Sequence, residues 1–234
     1  MLYKNKIVLI TGSRRGIGKM LTNHFLREGA NVIGISRHDE LENERYLPFN
    51  LDISNPTSVN EFFLKIRKNF GRLDIVINCA GVLTCQHSML LNAQAVKEML
   101  DTNVLGTFLI SREAAKLMRI NKWGRIICIG SMAASLEPIG DSIYAATKTA
   151  ICTMTNIMAK EFANFNITCN TIGVTAIETD MLKSLSNEII NKVILNLTLP
   201  RYTTPDDIFN VVDFFASEKS NYVTAQTIYL GGVN

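Results

Sequence analysis

The chain has 234 residues, of which 47% are hydrophobic and 19% are charged, and its formal net charge is +3. This length suits one well-buried domain and is short for two, and the composition excludes an intrinsically disordered chain. The small charge does not favour nucleic acid or an anionic membrane as a partner, although it suits an anionic ligand.

Cysteine use and hydropathy narrow the class of protein further. The 5 cysteines are odd in number and include no C-x-x-C pair, so we expect no metal site and no disulfide framework. A reducing, cytoplasmic location fits that usage. An apolar run begins at Lys6, which leaves no room for a signal peptide, and no apolar run approaches the roughly 20 residues of a membrane span.

Short β-branched runs alternate with helical patterns along the chain. The predicted strands are 6–10, 31–36, 46–51, 72–79, 124–130, 166–172 and 227–230. The predicted helices are 16–28, 57–69, 94–120, 144–164 and 205–216. Because this alternation implies parallel strands joined by right-handed crossovers, we expect an α/β fold. It would be a single domain, 1–234, with a doubly wound parallel sheet of about seven strands and helices on both faces.

The segment 174–204 departs from that alternation. Its apolar residues recur at roughly helical spacing between the last two predicted strands. An insertion of this length is a candidate lid over a substrate site, and a helix that only packs on the core is the alternative.

A glycine-rich turn joins the first predicted strand to the first predicted helix. Gly12 permits a tight turn, Gly16 allows a phosphate to approach the backbone, and Gly18 allows close packing of the helix on the strand. The helix N-terminus would offer N–H groups and a positive dipole to a pyrophosphate. The spacing is G-x-x-x-G-x-G, with the wide gap first, and so differs from the general fingerprint G-x-G-x-x-G. This context predicts a Rossmann-type dinucleotide site whose residues are Gly12, Ser13, Arg14, Arg15, Gly16, Ile17 and Gly18.

The end of the second predicted strand bears on the choice between NAD and NADP. An NAD enzyme usually has a carboxylate there, whereas this chain has Ser36 and Arg37, with Arg14 and Arg15 in the glycine turn. These guanidinium groups can clamp a 2′-phosphate, which favours NADP, with NADPH preferred over NADH. Solvated surface arginines are the alternative, and the nearby Asp39 keeps NAD open.

Ser131, Tyr144 and Lys148 form the pattern S-x12-Y-x3-K. Tyr144 and Lys148 share a helix face, and Ser131 follows a strand at the sheet edge where such folds bind ligands. A phenol is a poor acid–base group near neutral pH unless a nearby cation stabilises its phenolate, and Lys148 supplies that cation. Ser131 can donate a hydrogen bond to a carbonyl oxygen as charge develops on it. The pattern therefore indicates carbonyl reduction or alcohol oxidation.

Seven motifs in order resemble the short-chain dehydrogenase/reductase family, most of all its 3-oxoacyl-[acyl-carrier-protein] reductase branch. They are T-G-x-x-x-G-I-G at 11–18, L-D-I at 51–53, N-C-A-G at 78–81, N-V-x-G-T at 103–107, G-S at 130–131, Y-A-A-T-K at 144–148 and I-E-T-D-M at 177–181. The resemblance covers essentially the whole chain.

The resemblance implies further site residues. Asp52 and Ile53 would contact the adenine end, and Ile177 and Thr179 the nicotinamide carboxamide. Asn103 would kink its helix and hold a water against Lys148, which would also bind the nicotinamide ribose.

It also assigns Asn78, Ala80 and Gly81 to the cofactor ribose and the central strand. For two of the implied residues a structural role is the alternative, since Asp52 could cap a helix and Asn78 could be a satisfied amide at the sheet end.

Four positions depart from the family pattern. Val174-Thr175 stands where Pro-Gly is usual, Cys79 replaces a common Asn, Thr198–Arg201 lacks the usual Pro and Gly positions, and Ala225 replaces a Gly. None of them belongs to the group Asn103, Ser131, Tyr144 and Lys148, but several should lie near the substrate. They weaken the assignment to an acyl-carrier-protein substrate.

The leading hypothesis is an NADPH-dependent reductase of a ketone, with a 3-oxoacyl thioester of fatty acid biosynthesis, carried on acyl-carrier protein, as one candidate substrate. The alternative is a sugar, a polyol or another small secondary alcohol. An apolar pocket favours an acyl or cyclic apolar substrate, and it would consist of Leu136, Ile139, Met181, Leu182 and Leu185.

Two other classes are less favoured. A non-catalytic NADP-binding protein should have lost a catalytic side chain, and a hydrolase should have G-x-S-x-G around its serine. The family resemblance further implies a homotetramer, or a homodimer, through the helices 94–120 and 144–164 and the final strand.

Overall fold

The structure is a computed structural model and describes residues 1–37, 43–183 and 187–232. Asp39 and Leu185 lie outside the described residues. The strands are β1 (Ile7–Thr11), β2 (Asn31–Ser36), β3 (Tyr46–Asn50), β4 (Ile75–Asn78), β5 (Gly124–Ile129), β6 (Ile167–Gly173) and β7 (Thr227–Tyr229). The helices are α1 (Gly16–Arg27), α2 (Pro56–Phe70), α3 (Ala93–Met99), α4 (Thr107–Met118), α5 (Ala133–Leu136), α6 (Ser142–Phe162), α7 (Asp180–Lys183), α8 (Asn187–Leu195) and α9 (Pro205–Ala216).

All seven strands pair in parallel, in the order β3-β2-β1-β4-β5-β6-β7. β1 lies between β2 and β4, with Val8 opposite both Val32 and Ile75. The direction of winding therefore reverses between β1 and β4, and loops on either side of that point diverge to leave a crevice at the carboxyl ends of the strands. The predicted single-domain, doubly wound fold is confirmed.

Buried side chains cover both faces of the sheet. Leu9 of β1 packs with Phe62 of α2 and Ile110 of α4 on one face. Val8 and Ile10 belong to the opposite face, where the buried side chains of α1 and α9 lie. Since successive strand residues point to opposite faces, the continuous apolar runs of the central strands follow from burial on both sides.

The ends of α2 show how the sequence sets element boundaries. Pro56 occupies the start of the helix, and the Asn55 side chain caps it by accepting from the Ser58 N–H at 3.0 Å. Gly71, at φ +68°, ends the helix in a left-handed conformation that a glycine adopts without strain.

One predicted helix differs from the structure. The prediction 94–120 is divided into α3 and α4 by a π-helical segment, Leu100–Gly106. The described part of the insertion 174–204 contains the helices α7 and α8, in keeping with its roughly helical spacing of apolar residues. Within the described ranges no helix is both long enough and apolar enough to cross a bilayer.

Candidate active site

A cleft of about 1000 Å³ lies beyond the carboxyl ends of β1, β2, β4, β5 and β6. It brings together most of the residues that the sequence singled out. The predicted residues that line it are Gly12, Arg14, Arg15, Gly16, Ile17, Ser36, Arg37, Asp52, Ile53, Ala80, Gly81, Ser131, Tyr144, Lys148, Ile177 and Thr179. Ser13, Gly18, Asn78 and Asn103 support this lining from behind, as the contacts below show.

The glycine turn has the geometry that a diphosphate requires. Gly12 and Gly16 have φ values of +72° and +52°, and a Cβ on Gly18 would lie 2.1 Å from the Gly12 carbonyl oxygen. The helix α1 begins at Gly16 with no side-chain cap from Arg15 and no acidic residue in its first turn. Its N-terminal N–H groups and positive dipole are therefore available to an anion in the cleft, and the residues present fit a dinucleotide.

A tyrosine that the sequence did not single out holds this turn. The Tyr46 hydroxyl of β3 donates to Ser13 Oγ at 2.9 Å, underneath the glycine turn. A Cβ on Gly34 of β2 would come within 2.0 Å of the Tyr46 hydroxyl, so only a glycine leaves room for this contact. A glycine in the interior of a strand was the available sequence signal, because such glycines mark close approach of another group.

The adenine end of the cleft carries Ser36 and Arg37 from the end of β2 and Arg14 and Arg15 from the glycine turn. Both Arg14 and Arg37 are exposed. This end of the cleft therefore presents positively charged guanidinium groups to an anion.

Asp52 lies in a turn of its own. Its Oδ1 accepts from the N–H and the hydroxyl of Ser54 at 2.9 and 2.7 Å, whereas Asn55 caps the following helix. The helix-cap alternative for Asp52 is therefore wrong. Ile53 is buried against Gly106, where a Cβ would come within 2.6 Å of its side chain.

Asn78 faces the protein interior. Its amide donates to Ser111 Oγ at 2.9 Å, a contact that fastens β4 to α4. The loop after β4 is held from β1 instead, since Thr11 Oγ1 accepts from the N–H groups of Cys79 and Ala80, each at 3.0 Å. Asn78 thus lies behind the cleft with its Oδ1 unpaired among the described residues, while Ala80 and Gly81 reach the cleft.

The proposed acid–base residues are buried at one wall of the cleft. Ser131 and Tyr144 are each 9% exposed and Lys148 is 4% exposed. Lys148 Nζ donates to the Ile129 carbonyl at 2.8 Å and lies 5.6 Å from the centre of the Tyr144 ring. Burial removes competing water, so the ammonium charge acts on the phenol more strongly than it would in solvent.

Asn103 ties the π-helical segment to this wall. It is fully buried, accepts from the Val82 N–H at 2.8 Å, and donates to the Val82 carbonyl at 2.9 Å and to Thr147 Oγ1 at 3.1 Å. A Cβ on Gly81 would lie 3.4 Å from Asn103 Oδ1 and 3.7 Å from Lys148 Nζ. The missing side chain of Gly81 thus leaves space between the amide oxygen and the ammonium group.

The chain after β6 crosses to the glycine turn. Ile177 is buried, and the Thr179 methyl group would lie 3.4 Å from a Cβ on Gly16. The unusual Val174-Thr175 turn is held without proline, because the Met132 N–H donates to the Val174 carbonyl at 3.0 Å and Thr175 Oγ1 bonds to Thr203 Oγ1. These two contacts fix the turn to the segment after β5 and to the segment before α9.

The apolar pocket predicted from the sequence forms only part of the lining of the cleft. Ile139, Met181 and Leu182 line the cleft, whereas Leu136, the last residue of α5, does not. Two residues that the sequence did not single out, Cys85 and Asp141, line it as well. Burial raises the pKa of the Asp141 carboxyl, and burial together with Asp141 raises the pKa of the Cys85 thiol to about 11.

No group of three or more His, Cys, Asp or Glu side chains within the described ranges is arranged to hold a metal ion. All five cysteines are free thiols. The wall of the cleft offers the phenol of Tyr144, the ammonium of Lys148, the hydroxyl of Ser131 and the buried carboxyl group of Asp141, and these groups suit proton transfer to a polarised oxygen.

Comparison with known proteins identifies the chain. The short chain dehydrogenase family matches residues 6–189. The 3-oxoacyl-[acyl-carrier-protein] reductase FabG of Escherichia coli is 31% identical over 239 residues, which cover 99% of this chain and 98% of the relative.

Solved structures agree with that match. ElxO with NADP bound has a TM-score of 0.88 at 28% identity, with 97% of each chain covered. A short chain dehydrogenase from Leptospira borgpetersenii with NAD+ bound has a TM-score of 0.90 at 27% identity, covering 98% of this chain and 92% of that one. The aldohexose dehydrogenase of Thermoplasma acidophilum has a TM-score of 0.88 at 25% identity, and the match covers 97% of this chain and 92% of that one. The protein belongs to the short-chain dehydrogenase/reductase family, and it is an oxidoreductase that binds a nicotinamide dinucleotide.

Proposed function

We propose that the protein reduces a ketone to a secondary alcohol with NADPH, and that Tyr144 supplies the proton. The observation that carries this proposal is the buried wall of the cleft, where Lys148 Nζ is held by the Ile129 carbonyl beside the Tyr144 ring. A nicotinamide bound in the cleft would supply the hydride.

The chain's own groups would manage the proton. Tyr144 Oη would donate to the carbonyl oxygen of the substrate, and the Lys148 ammonium would stabilise the phenolate that remains. Ser131 Oγ would hold the same substrate oxygen by a hydrogen bond that strengthens as negative charge develops. A water in the space beside Gly81, between Asn103 Oδ1 and Lys148 Nζ, would return the proton from solvent.

The proposed cofactor contacts follow the lining of the cleft. The diphosphate would lie on the glycine turn, Gly12–Gly18, and the adenosine near Ser36, Arg37, Asp52 and Ile53. Ala80 and Gly81 would line the ribose, Lys148 would bind the nicotinamide ribose, and Ile177 and Thr179 would meet the carboxamide.

Two substrate classes have specific support. The likeness to 3-oxoacyl-[acyl-carrier-protein] reductases and the apolar side chains Met181 and Leu182 support a 3-oxoacyl thioester delivered on acyl-carrier protein. The likeness to an aldohexose dehydrogenase and the buried carboxyl of Asp141 support a sugar, a polyol or another hydroxylated ketone.

We further propose that the segment 174–204 covers the bound substrate, as a lid on the single domain. Met181 and Leu182 of this segment line the cleft, and so do Ile190 and Val193 of α8. Ile190 and Ile194 also pack on Ala176, so α8 contributes to a small core of its own as well. This core would keep the lid folded when it opens.

The assembly would be a homotetramer, or a homodimer, in the cytoplasm. Leu100, Leu105 and Phe108 are 45%, 39% and 39% exposed around the start of α4, and Ile157 of α6 is 50% exposed. Burying these side chains against a second copy would remove apolar surface from water. Both helices lie in the segments, 94–120 and 144–164, through which the family resemblance implies assembly.

Steady-state rates with NADPH and NADH over a panel of simple ketones, hydroxy ketones and 3-oxoacyl thioesters test the proposal. NADPH should be preferred, and Arg37→Asp should lower that preference by about 10- to 100-fold, since it removes charge-assisted hydrogen bonds and adds repulsion. Arg45→Asp, an equal change of charge at an exposed residue outside the cleft, should leave it unaltered.

An unchanged NADPH preference in Arg37→Asp would refute the cofactor assignment. Tight NADPH binding without turnover of any member of the panel would instead indicate a non-catalytic NADP-binding protein.

A further inference from the structure

Asp141 occupies the N-cap position of α6 but does not cap it. Its side chain makes no hydrogen bond to the first turn of the helix. Elsewhere the chain does use this position for capping, through Asn55 at α2, Asn92 at α3 and Thr204 at α9. An aspartate at an N-cap normally accepts a backbone N–H, so the orientation of Asp141 calls for another partner.

Asp141 lies at the wall of the cleft, and one oxygen of its carboxyl group lacks such a partner. The residue is 8% exposed and lines the cleft together with Tyr144. Its Oδ1 is buried and has no hydrogen-bond partner among the described residues. Because buried polar atoms in folded proteins are nearly always hydrogen-bonded, an unpaired carboxylate oxygen at a cavity wall marks a place where a ligand completes the bonding.

The neighbours of Asp141 do not meet that need. Cys85 donates a hydrogen bond to the Asp141 side chain, but a thiol is a weak donor, and Oδ1 still has no partner among the described residues. Ile139 and Pro138, which line the same part of the cleft, offer no donor from their side chains. A donor must come from the molecule that the cleft binds.

The position of Asp141 relative to Tyr144 limits where that donor lies. The two residues are three apart at the start of α6, so their Cβ atoms are about 5–6 Å apart. Because both residues line the cleft, a substrate whose carbonyl oxygen meets Tyr144 Oη can present a nearby hydroxyl group to Asp141.

We propose that Asp141 accepts a hydrogen bond from a hydroxyl group of the substrate, and that the preferred substrates are ketones with a hydroxyl close to the carbonyl. The inference rests on the proposed ketone reduction and decides between its two substrate classes. An unsubstituted acyl chain would leave the carboxylate unpaired, whereas a hydroxy ketone from a sugar or polyol satisfies it. Asp141 is thus a specificity-determining residue.

Matched pairs of ketones test this inference. Hydroxy ketones with the hydroxyl on the first, second or third carbon from the carbonyl are compared with their deoxy parents, by kcat/KM with NADPH. The native enzyme should prefer at least one hydroxylated member by about 10- to 100-fold, the usual effect of a hydrogen bond to a charged group.

Asp141→Leu should bring that ratio close to one, mainly by raising KM for the hydroxylated ketone. Asp141→Asn, which keeps the shape and one acceptor, should give an intermediate ratio. Glu137→Gln is the matched control, because Glu137 is an exposed acid four residues earlier that does not line the cleft. NADPH binding, followed by the change in its fluorescence, verifies that each variant is folded.

The outcomes separate the two proposals. A native enzyme that reduces both members of each pair equally well, or a preference that Asp141→Leu and Asp141→Asn leave unchanged, overturns the role of Asp141 and leaves ketone reduction standing. A native enzyme that binds NADPH and reduces none of the ketones overturns the proposed function, and the substrate inference with it.

Discussion

Lys148 illustrates how single contacts prepare the site for its chemistry. Its ammonium is buried and oriented by the Ile129 carbonyl at 2.8 Å, on the helix that carries Tyr144 one turn earlier. Thr147 directly precedes Lys148 in the same helix. Its hydroxyl accepts a hydrogen bond from the Asn103 side chain at 3.1 Å and donates one to the Tyr144 carbonyl at 2.7 Å. These bonds restrict the first turn of α6 and hence the position of the phenol.

Tyr144→Phe tests the role of that phenol. Removing the hydroxyl should lower kcat by about 10²- to 10⁴-fold, the usual contribution of a positioned general acid, because the aromatic ring and its packing remain. NADPH affinity should change little, since the Lys148 contact to Ile129 does not involve the hydroxyl. Single-turnover rates and fluorescence titration measure the two quantities.

The control for this variant is Tyr222→Phe, the same chemical change at a fully exposed side chain outside the cleft. It should match the native rate. A Tyr144→Phe enzyme with native kcat would exclude the phenol as the proton donor.

Among the residues of the site, those in dense local patterns were predictable from the sequence. The glycine turn and the pair Tyr144 and Lys148 were found because their spacing determines which side chains share a loop or a helix face. Asp141 was missed, although it lies three residues before Tyr144, because no spacing rule states that an N-cap carboxylate turns away from its helix. The orientation of the Asp141 side chain depends on the cavity, and the cavity exists only in the folded chain.

The helix that contains Asn103 shows what hydrophobic periodicity cannot resolve. The apolar pattern of 94–120 predicts one helix, and the structure has a π-helical segment over Leu100–Gly106 in the middle. The side chain of Asn103 is satisfied by the backbone of Val82 from the loop after β4. A contact between residues that are distant in sequence thus sets the local winding, and a single-sequence pattern contains no signal for it.

The N-terminus of α9 is stabilised by a charged cap. Thr204 Oγ1 accepts from the Asp207 N–H, and Asp207 Oδ2 accepts from the Thr204 N–H at 2.8 Å. Arg201 adds a two-point contact to the same carboxylate, at 2.7 and 2.9 Å. The Arg201 guanidinium and the Thr204 donors hold the pKa of Asp207 well below its usual range.

Asp207→Asn should therefore lower the free energy of unfolding at neutral pH by about 1–2 kcal/mol, since it removes the charged acceptor of the cap and of Arg201. The lowered pKa means that Asp207 stabilises the fold above the ordinary aspartate pKa of about 3.9 and that this stabilisation is lost as pH falls below it. Thermal unfolding of the native and Asp207→Asn proteins between neutral and acidic pH measures the difference, which should shrink on acidification.

Asp206→Asn is the control, because this exposed neighbour lies in the same first turn but is not part of the capping box. Its effect should be smaller. A difference between native and Asp207→Asn proteins that stayed constant down to acidic pH would contradict the charged-cap explanation.

At the scale of the molecule, the reversal of strand order is what assembles the site. β1 and β4 are neighbours in the sheet, although their first residues, Ile7 and Ile75, are 68 positions apart in the sequence.

 Gly12 follows β1 and Ala80 follows β4. These two residues come so close that a Cβ on Gly12 would lie 3.0 Å from the Ala80 Cα. The crevice at this reversal holds the glycine turn on one side and the loop after β4 on the other.

This large-scale arrangement was predictable, because alternating strands and helices with right-handed crossovers leave few possible topologies. The substrate end of the cleft was not. Its shape depends on α7, α8 and the turn at Val174-Thr175, which tertiary contacts such as the bond between Thr175 and Thr203 hold in place. Local propensity does not encode contacts of that range.

Transfer of deuterium from NADPH to a ketone tests the central claim most directly. The native enzyme is incubated with NADPH that carries deuterium at its transferable position and with the panel of ketones, and the products are analysed by mass spectrometry. The account predicts a secondary alcohol with one deuterium on the carbinol carbon, formed about 10²- to 10⁴-fold more slowly by Tyr144→Phe. An enzyme that binds the deuterated NADPH but yields no deuterated alcohol from any ketone would contradict it.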